Sequence, residues 1–167
     1  MLIRVEIPVD AQGIDRLLRQ VFNGDGEADL VQQLREDGLI TLGMVATDDE
    51  GQVIGYIAYS PVSLNDEDRL WVGLAPLAVA PEWQKQGVGK SLVYESLDSL
   101  NEFSYAAVVV LGEPEYYQRF GFTPASKHQL RCKWPGTEEA FQIYALDKQT
   151  LNGAEGQIEY AEPFNRF

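Results

Sequence analysis

Between Leu70 and Leu111 the sequence allows few folds. Leu70 to Val79 reads as a strand, and Pro81 ends it because proline has no N–H to give a ladder. Gly87 and Gly89 follow in a short loop, and a helix begins near Ser91 and runs to about Leu100, with Leu92, Val93, Leu97 and Leu100 on its buried face. Tyr105 to Leu111 is then apolar without alternation, as in a strand covered on both faces at the centre of a parallel pairing. Strand, helix and buried strand in that order make a right-handed crossover. The fold class is therefore α/β, with a mixed sheet. Pro76 adds a second constraint, because a proline inside a central strand marks a bulge or an edge. A bulge is expected there, leaving some backbone groups unpaired by the neighbouring strand.

The rest of the chain fits around this unit. Leu2 to Ile7 alternates as a first strand, and Asp10 is placed to cap a helix with Ile14, Leu17, Leu18, Val21 and Phe22 at helical spacing. A second helix spans about Glu27 to Glu36, stopped by Gly38. Leu42 to Thr47 and Val53 to Tyr59 flank a hairpin turn at Asp48–Gly51, and Pro61 to Arg69 reads as a polar loop. Glu113 to Phe120 is a short helix, and Gly121-Phe122 opens another strand. His128 to Trp134 and Phe141 to Leu146 are further strands, separated by Pro135-Gly136. The tail, Ile158 to Phe167, is expected to pack back on the sheet. No repeat, linker or low-complexity tract divides residues 1–167, so they read as a single domain.

Composition narrows the function. The net charge of -13 argues against a nucleic-acid surface and against anionic membranes. It fits either plain solubility or attraction of a cationic or amine substrate. No run of about 18 apolar residues is present to span a bilayer. The opening Met-Leu-Ile-Arg-Val-Glu-Ile carries charges inside its apolar run, unlike a secretory signal, and the single Cys132 suits a reducing compartment. A cytoplasmic location is expected. One histidine and one cysteine cannot build a zinc site of the usual spacing, so no metal is expected. No serine sits in a G-x-S-x-G elbow. Cys132 and His128 read as strand and turn residues rather than a nucleophile and its base.

The loop before Ser91 is the candidate site. The first turn of a helix leaves up to four N–H groups without partners and carries about half a positive charge. Glycines let an anion approach those groups. Gly89-Lys90-Ser91 looks like the end of a nucleotide-binding G-x-x-x-x-G-K-[ST] loop, but the glycine required five positions earlier is Gln84. The buried strand also ends in Leu111-Gly112-Glu113, with no aspartate placed for magnesium.

What the loop does match is Q-x-x-G-x-G, with Gln84, Gly87 and Gly89 directly after Leu77-Ala78-Val79-Ala80-Pro81. Together with Tyr117-Gln118-Arg119-Phe120-Gly121-Phe122 after the buried strand, this resembles the GNAT superfamily of acetyl-CoA-dependent N-acetyltransferases. The likeness is well defined from about Leu39 to Phe122. More loosely, the whole chain is similar to small bacterial predicted acetyltransferases of uncertain substrate. The resemblance implies that the amides around Gln86, Gly87, Val88, Gly89 and Lys90 hold the pyrophosphate of acetyl-CoA. Leu77, Ala78 and Val79 would lie along the pantetheine arm, with unpaired backbone at Leu77 and Val79 pairing its amides. An amide near Val79 would face the developing oxyanion. Gln84 and Ser91 bound the motif, and Lys85 and Lys90 add charge beside it or are simply solvated.

By the same resemblance Tyr117 protonates the leaving thiolate; the alternative is a half-buried aromatic on a short helix, and Tyr116 is a neighbour easily mistaken for it. The acidic residue that serves some members as base is missing, since Gly73, Leu74 and Ala75 occupy that region. Glu113, Glu115, His128 or a water chain remain open. The expected activity is acetyl transfer from acetyl-CoA to a primary amine by direct attack in a ternary complex. The alternative is a non-catalytic acyl-CoA-binding sensor or interaction module. Both a monomer and a homodimer fit the sequence.

Overall fold

The computed structural model describes residues 1–167. The chain forms β1 (Leu2–Val5), α1 (Ala11–Val21), α2 (Gly26–Glu36), β2 (Leu42–Thr47), β3 (Val53–Leu64), β4 (Glu67–Val79), α3 (Val88–Glu102), β5 (Ala107–Leu111), α4 (Pro114–Gln118), β6 (Thr123–Pro124), β7 (Leu130–Arg131), β8 (Phe141–Ala145) and β9 (Gly156–Tyr160). One mixed sheet runs in the order β1-β2-β3-β4-β5-β8-β6, and β9 pairs with the far end of β3 and with β7. β4 and β5 are parallel and joined by α3, so the expected crossover is present. The unbroken apolar run of β5 has a simple cause. Val108 and Val110 pack with Leu92 and Leu97 of α3, while Ala107 and Val109 pack on the other face with Trp71, Phe141 and Ile143. No helix is long and apolar enough to cross a membrane.

Three expectations are corrected. His128 to Trp134 is mostly not a strand: His128 closes a turn begun at Ala125, and only Leu130 and Arg131 pair, with β9. Pro61 to Arg69 is not a loop: β3 continues to Leu64 and β4 starts at Glu67, joined by a turn at Asn65 and Asp66, both with positive φ (51° and 68°). Asn and Asp tolerate that conformation, which makes them good centres for a hairpin turn. Pro61 is accommodated because it falls between Tyr59, the last residue paired to β2 through Leu42, and Val62, the first paired to β9. Asp10 does not cap α1. Its buried carboxylate accepts from both Arg4 guanidinium nitrogens (2.8 and 2.9 Å) and from the Ile7 N–H (2.8 Å), tying β1 to the start of α1.

The bulge lies where Pro76 places it. Ile57 pairs with Leu77 and Tyr59 with Leu74, so the single residue Ala58 faces both Ala75 and Pro76. Beyond this point β4 and β5 part. Their ladder covers only Trp71–Gly73 against Ala107–Val109, and a cavity opens between Leu74–Leu77 on one side and Val110–Gly112 on the other. Meanwhile α3 is drawn tightly on to β3. A Cβ on Gly55 would stand 2.9 Å from Val88 and 3.0 Å from Leu92, and the Tyr59 hydroxyl lies 2.7 Å from Ser96 Oγ. That docking sets the height of the first turn of α3 above the splayed strands. Gly55→Val therefore forces α3 outward and lowers Tm by about 3–10 °C, the usual cost of overpacking a chain of this size. Thermal unfolding followed by circular dichroism measures it, and an unchanged Tm contradicts the tight approach.

Candidate active site

The loop between β4 and α3 is built to leave its amides free. Lys85 and Gly87 both have positive φ (63° and 85°), and they turn the chain so that Gly87 caps α3. The first bond of the helix runs from the Ser91 N–H to the Gly87 carbonyl (3.0 Å). The N–H groups of Lys85, Gln86, Gly87, Val88, Gly89 and Lys90 find no protein acceptor in hydrogen-bonding geometry. Six consecutive donors thus gather at the positive end of a 15-residue helix, an arrangement that attracts anions.

The edge of β4 continues this donor row. Ala80 gives its N–H to the Ile54 carbonyl, so the alternation of an antiparallel pair sends the Ala78 N–H toward β3 and those of Leu77 and Val79 away from it. β5 has already diverged there, leaving both without a strand partner. The Val79 carbonyl is taken by the Gln84 side chain (3.0 Å), and the Gln86 side chain ties back to the Glu82 carbonyl (2.9 Å). Both glutamines therefore act on the shape of the loop through their side chains.

A cleft of about 520 Å³ lies over these donors. It is lined by Leu77, Val79, Lys85, Gly87–Lys90, Tyr116 and Arg119 among others. Ser91, Ala78 and Gln86 do not line it. Ser91 has spent its N–H on the helix, and Ala78 is buried against the core. Gly89 has a steric reason to be glycine, because a Cβ there would stand 2.7 Å from the Tyr116 hydroxyl. Arg119 escaped the sequence reading although it lies inside the matched Tyr117–Phe122 stretch. Its guanidinium stacks 4.4 Å from the Tyr116 ring centre, its Nε donates to the Tyr116 carbonyl (3.1 Å), and it makes no ion pair. In a chain with twice as many acidic as basic residues, three cations without carboxylate partners line one cleft, and no carboxylate does.

Leu77 also lines the larger cavity, about 680 Å³, between the splayed strands. Tyr117 lines it too, held edge-on to Tyr116 and Phe122, with its ring against Gly112, where a Cβ would clash. Burial raises the Tyr117 pKa, and the neighbouring Tyr116 adds to the effect, so the phenol keeps its proton at neutral pH. The walls are otherwise mostly apolar. Glu113, Glu115 and His128 line neither cavity, so the sequence candidates for a base lie elsewhere.

The sequence of residues 41–124 matches the model of the acetyltransferase (GNAT) domain. Over its full length the chain is 64% identical to an uncharacterised N-acetyltransferase of Escherichia coli, YhbS, covering all of both chains across 167 residues. It is 36% identical over 162 residues to a second uncharacterised E. coli N-acetyltransferase, YjhQ, covering 92% of this chain and 88% of that one. The crystal structure of E. coli YhbS in complex with CoA superposes with a TM-score of 0.97, over 99% of this chain and 92% of that one. A GNAT family acetyltransferase from Brucella melitensis in complex with acetyl-CoA, 32% identical, gives 0.83 over 98% and 97%.

The aromatic walls carry a pH signature. Burial is the main cause that raises the pKa values of Tyr56, Tyr59, Tyr117 and Tyr160 above the ordinary phenol value. A group raised on folding leaves stability intact below its unfolded pKa, about 10, and erodes it as the pH climbs from there toward the folded value. These four side chains are expected to ionise only together with unfolding. The part of the tyrosinate absorbance that comes from these four should appear at the same alkaline pH at which the far-ultraviolet circular dichroism is lost. Ionisation of all tyrosines while the circular dichroism is still native contradicts the packing.

Proposed function

The chain belongs to the GNAT acetyltransferase family, and from that membership we propose that it moves an acetyl group from acetyl-CoA to a primary amine by direct attack in a ternary complex. The observation that carries this reading is the run of six unpartnered N–H groups from Lys85 to Lys90, five of them in residues that line a cleft with three free cations and no carboxylate. A diphosphate is the anion that suits such a row, because charge-assisted bonds to backbone amides are the strong kind. Lys85, Lys90 and Arg119 add long-range attraction in an otherwise acidic molecule. The complexes of the E. coli relative with CoA and of the Brucella relative with acetyl-CoA support the choice of ligand.

The remaining parts follow the cleft. The free backbone at Leu77 and Val79 suits the amides of the pantetheine arm, joined as an added strand. Gln84 holds the Val79 carbonyl back, so the donors of this edge rather than its acceptor meet the thioester. One such N–H, aimed at the developing oxyanion, is worth about 3–4 kcal/mol. Tyr117 lines the larger cavity, with its ring against that of Tyr116, which lines the cleft over the amides. The burial that disfavours a phenolate there also disfavours a bare thiolate, so its hydroxyl donates to the departing sulfur and supplies the proton. A binding-only role leaves this unpartnered hydroxyl without a purpose.

Two substitutions test the reading. Gly89→Glu sets a carboxylate among the amides and against Tyr116, and should weaken acetyl-CoA binding about 100-fold by calorimetry, as like charges in contact do. Unchanged affinity counts against the anion site. Tyr117→Phe should lower kcat about 10²–10³-fold with the KM for acetyl-CoA nearly unmoved. Equal kcat in the variant removes Tyr117 from the chemistry.

A further inference from the structure

We infer that the acceptor carries a second cationic group, set apart from the reacting amine by an apolar body, and that Glu27 binds that group. The inference rests on the acetyl transfer proposed above and names the class of amine: an alkyl or arylalkyl diamine. Glu27 is the one acidic side chain lining the larger cavity, and no lysine or arginine lines it. It stands in the first turn of α2, one turn before Leu30, which packs with Phe164 of the tail. Its neighbours Asp25 and Asp29 are both bound by Arg19 (2.6 and 3.1 Å), whereas Glu27 makes no hydrogen bond or ion pair. Glu27, partly exposed beside apolar walls and without a protein partner, is free to pair with a cation that arrives with a ligand.

The other end of the cavity is where the reacting amine belongs. Tyr117 and Leu77 mark it, and the Tyr160 hydroxyl, fully enclosed, has no hydrogen-bond partner. That oxygen is closed off from the cavity, and it is the rest of Tyr160 that forms the wall there. Between the two ends the wall is aromatic. Trp134 packs edge-on to Tyr160 (5.4 Å between ring centres), Tyr160 lies 5.1 Å from Phe164, and the Trp134 indole N–H donates to the Phe167 carbonyl (3.1 Å), which keeps the tail in place. Such a wall suits methylenes or an aromatic ring. An amino-sugar would bury several hydroxyls here at about 1–3 kcal/mol each, because Thr137 already donates to the Trp134 carbonyl (2.6 Å).

The test is acetyl-CoA-dependent thiol release with linear diamines of increasing length, each beside the monoamine of the same length, and with an amino-sugar. At the best length the diamine should exceed its monoamine in kcat/KM by about 10- to 100-fold, the worth of one charge-assisted bond. In Glu27→Gln that ratio should fall to about one through the KM of the diamine, and Glu27→Asp should restore part of it. Calorimetric affinity for acetyl-CoA, measured on the same variants, reports whether they fold. A wild-type ratio near one, a ratio that survives in Glu27→Gln, or faster turnover of the amino-sugar overturns this inference and leaves acetyl transfer standing. Failure to bind acetyl-CoA, or no release with any amine, overturns both.

Discussion

A backbone N–H without a protein partner is a donor left for water or a ligand, and this chain assembles six in a row at one helix terminus. The arrangement is not a local accident of two glycines. It needs α3 pressed on to β3, which Gly55 and the Tyr59–Ser96 contact provide, and it needs β4 to end beneath the first turn, which Pro81 enforces. It also needs the loop to turn twice through positive φ, at Lys85 and Gly87, before the helix begins. The donor row at Leu77 and Val79 has a separate origin in the Ala75–Pro76 bulge and the parting of β4 from β5. Two unrelated pieces of backbone geometry therefore converge on one groove.

The groove is polar along its length. One end has cations and free amides without a carboxylate, and the other has apolar walls with Glu27 as its only charged side chain. Leu77 belongs to both. An anionic carrier and a cationic acceptor entering from opposite ends would each meet the complementary field, and their reacting groups would come together beside Tyr117. In a molecule of net charge -13 the cationic end is the exception, so the three unpaired basic residues there matter more than their number suggests.

Much of this was legible in the sequence because it depends on residues with restricted backbones. Pro76 announced the bulge, Pro81 the end of the strand, and Gly87 and Gly89 the open turn. The doubly buried β5 showed itself by its lack of alternation. What escaped depended on long-range packing. Asn65-Asp66 reads as part of a polar stretch unless it is known that Leu64 and Glu67 pair across it. Arg119 and Glu27 carry no local signal, since any exposed-looking charge on a helix reads alike until the tertiary fold sets it against a cavity. Asp10 was seen as a helix cap because its type and position fit, yet Arg4, six residues earlier, offered a stronger partner.

In the proposed reaction the unpaired amides from Lys85 to Lys90 receive the diphosphate of acetyl-CoA. The most direct measurement is an amide-resolved nuclear magnetic resonance titration of the protein with acetyl-CoA. The largest downfield proton shifts are expected at Gln86 to Lys90, with smaller ones at Leu77 and Val79. Saturable binding that leaves these amides unmoved and shifts a different surface contradicts it.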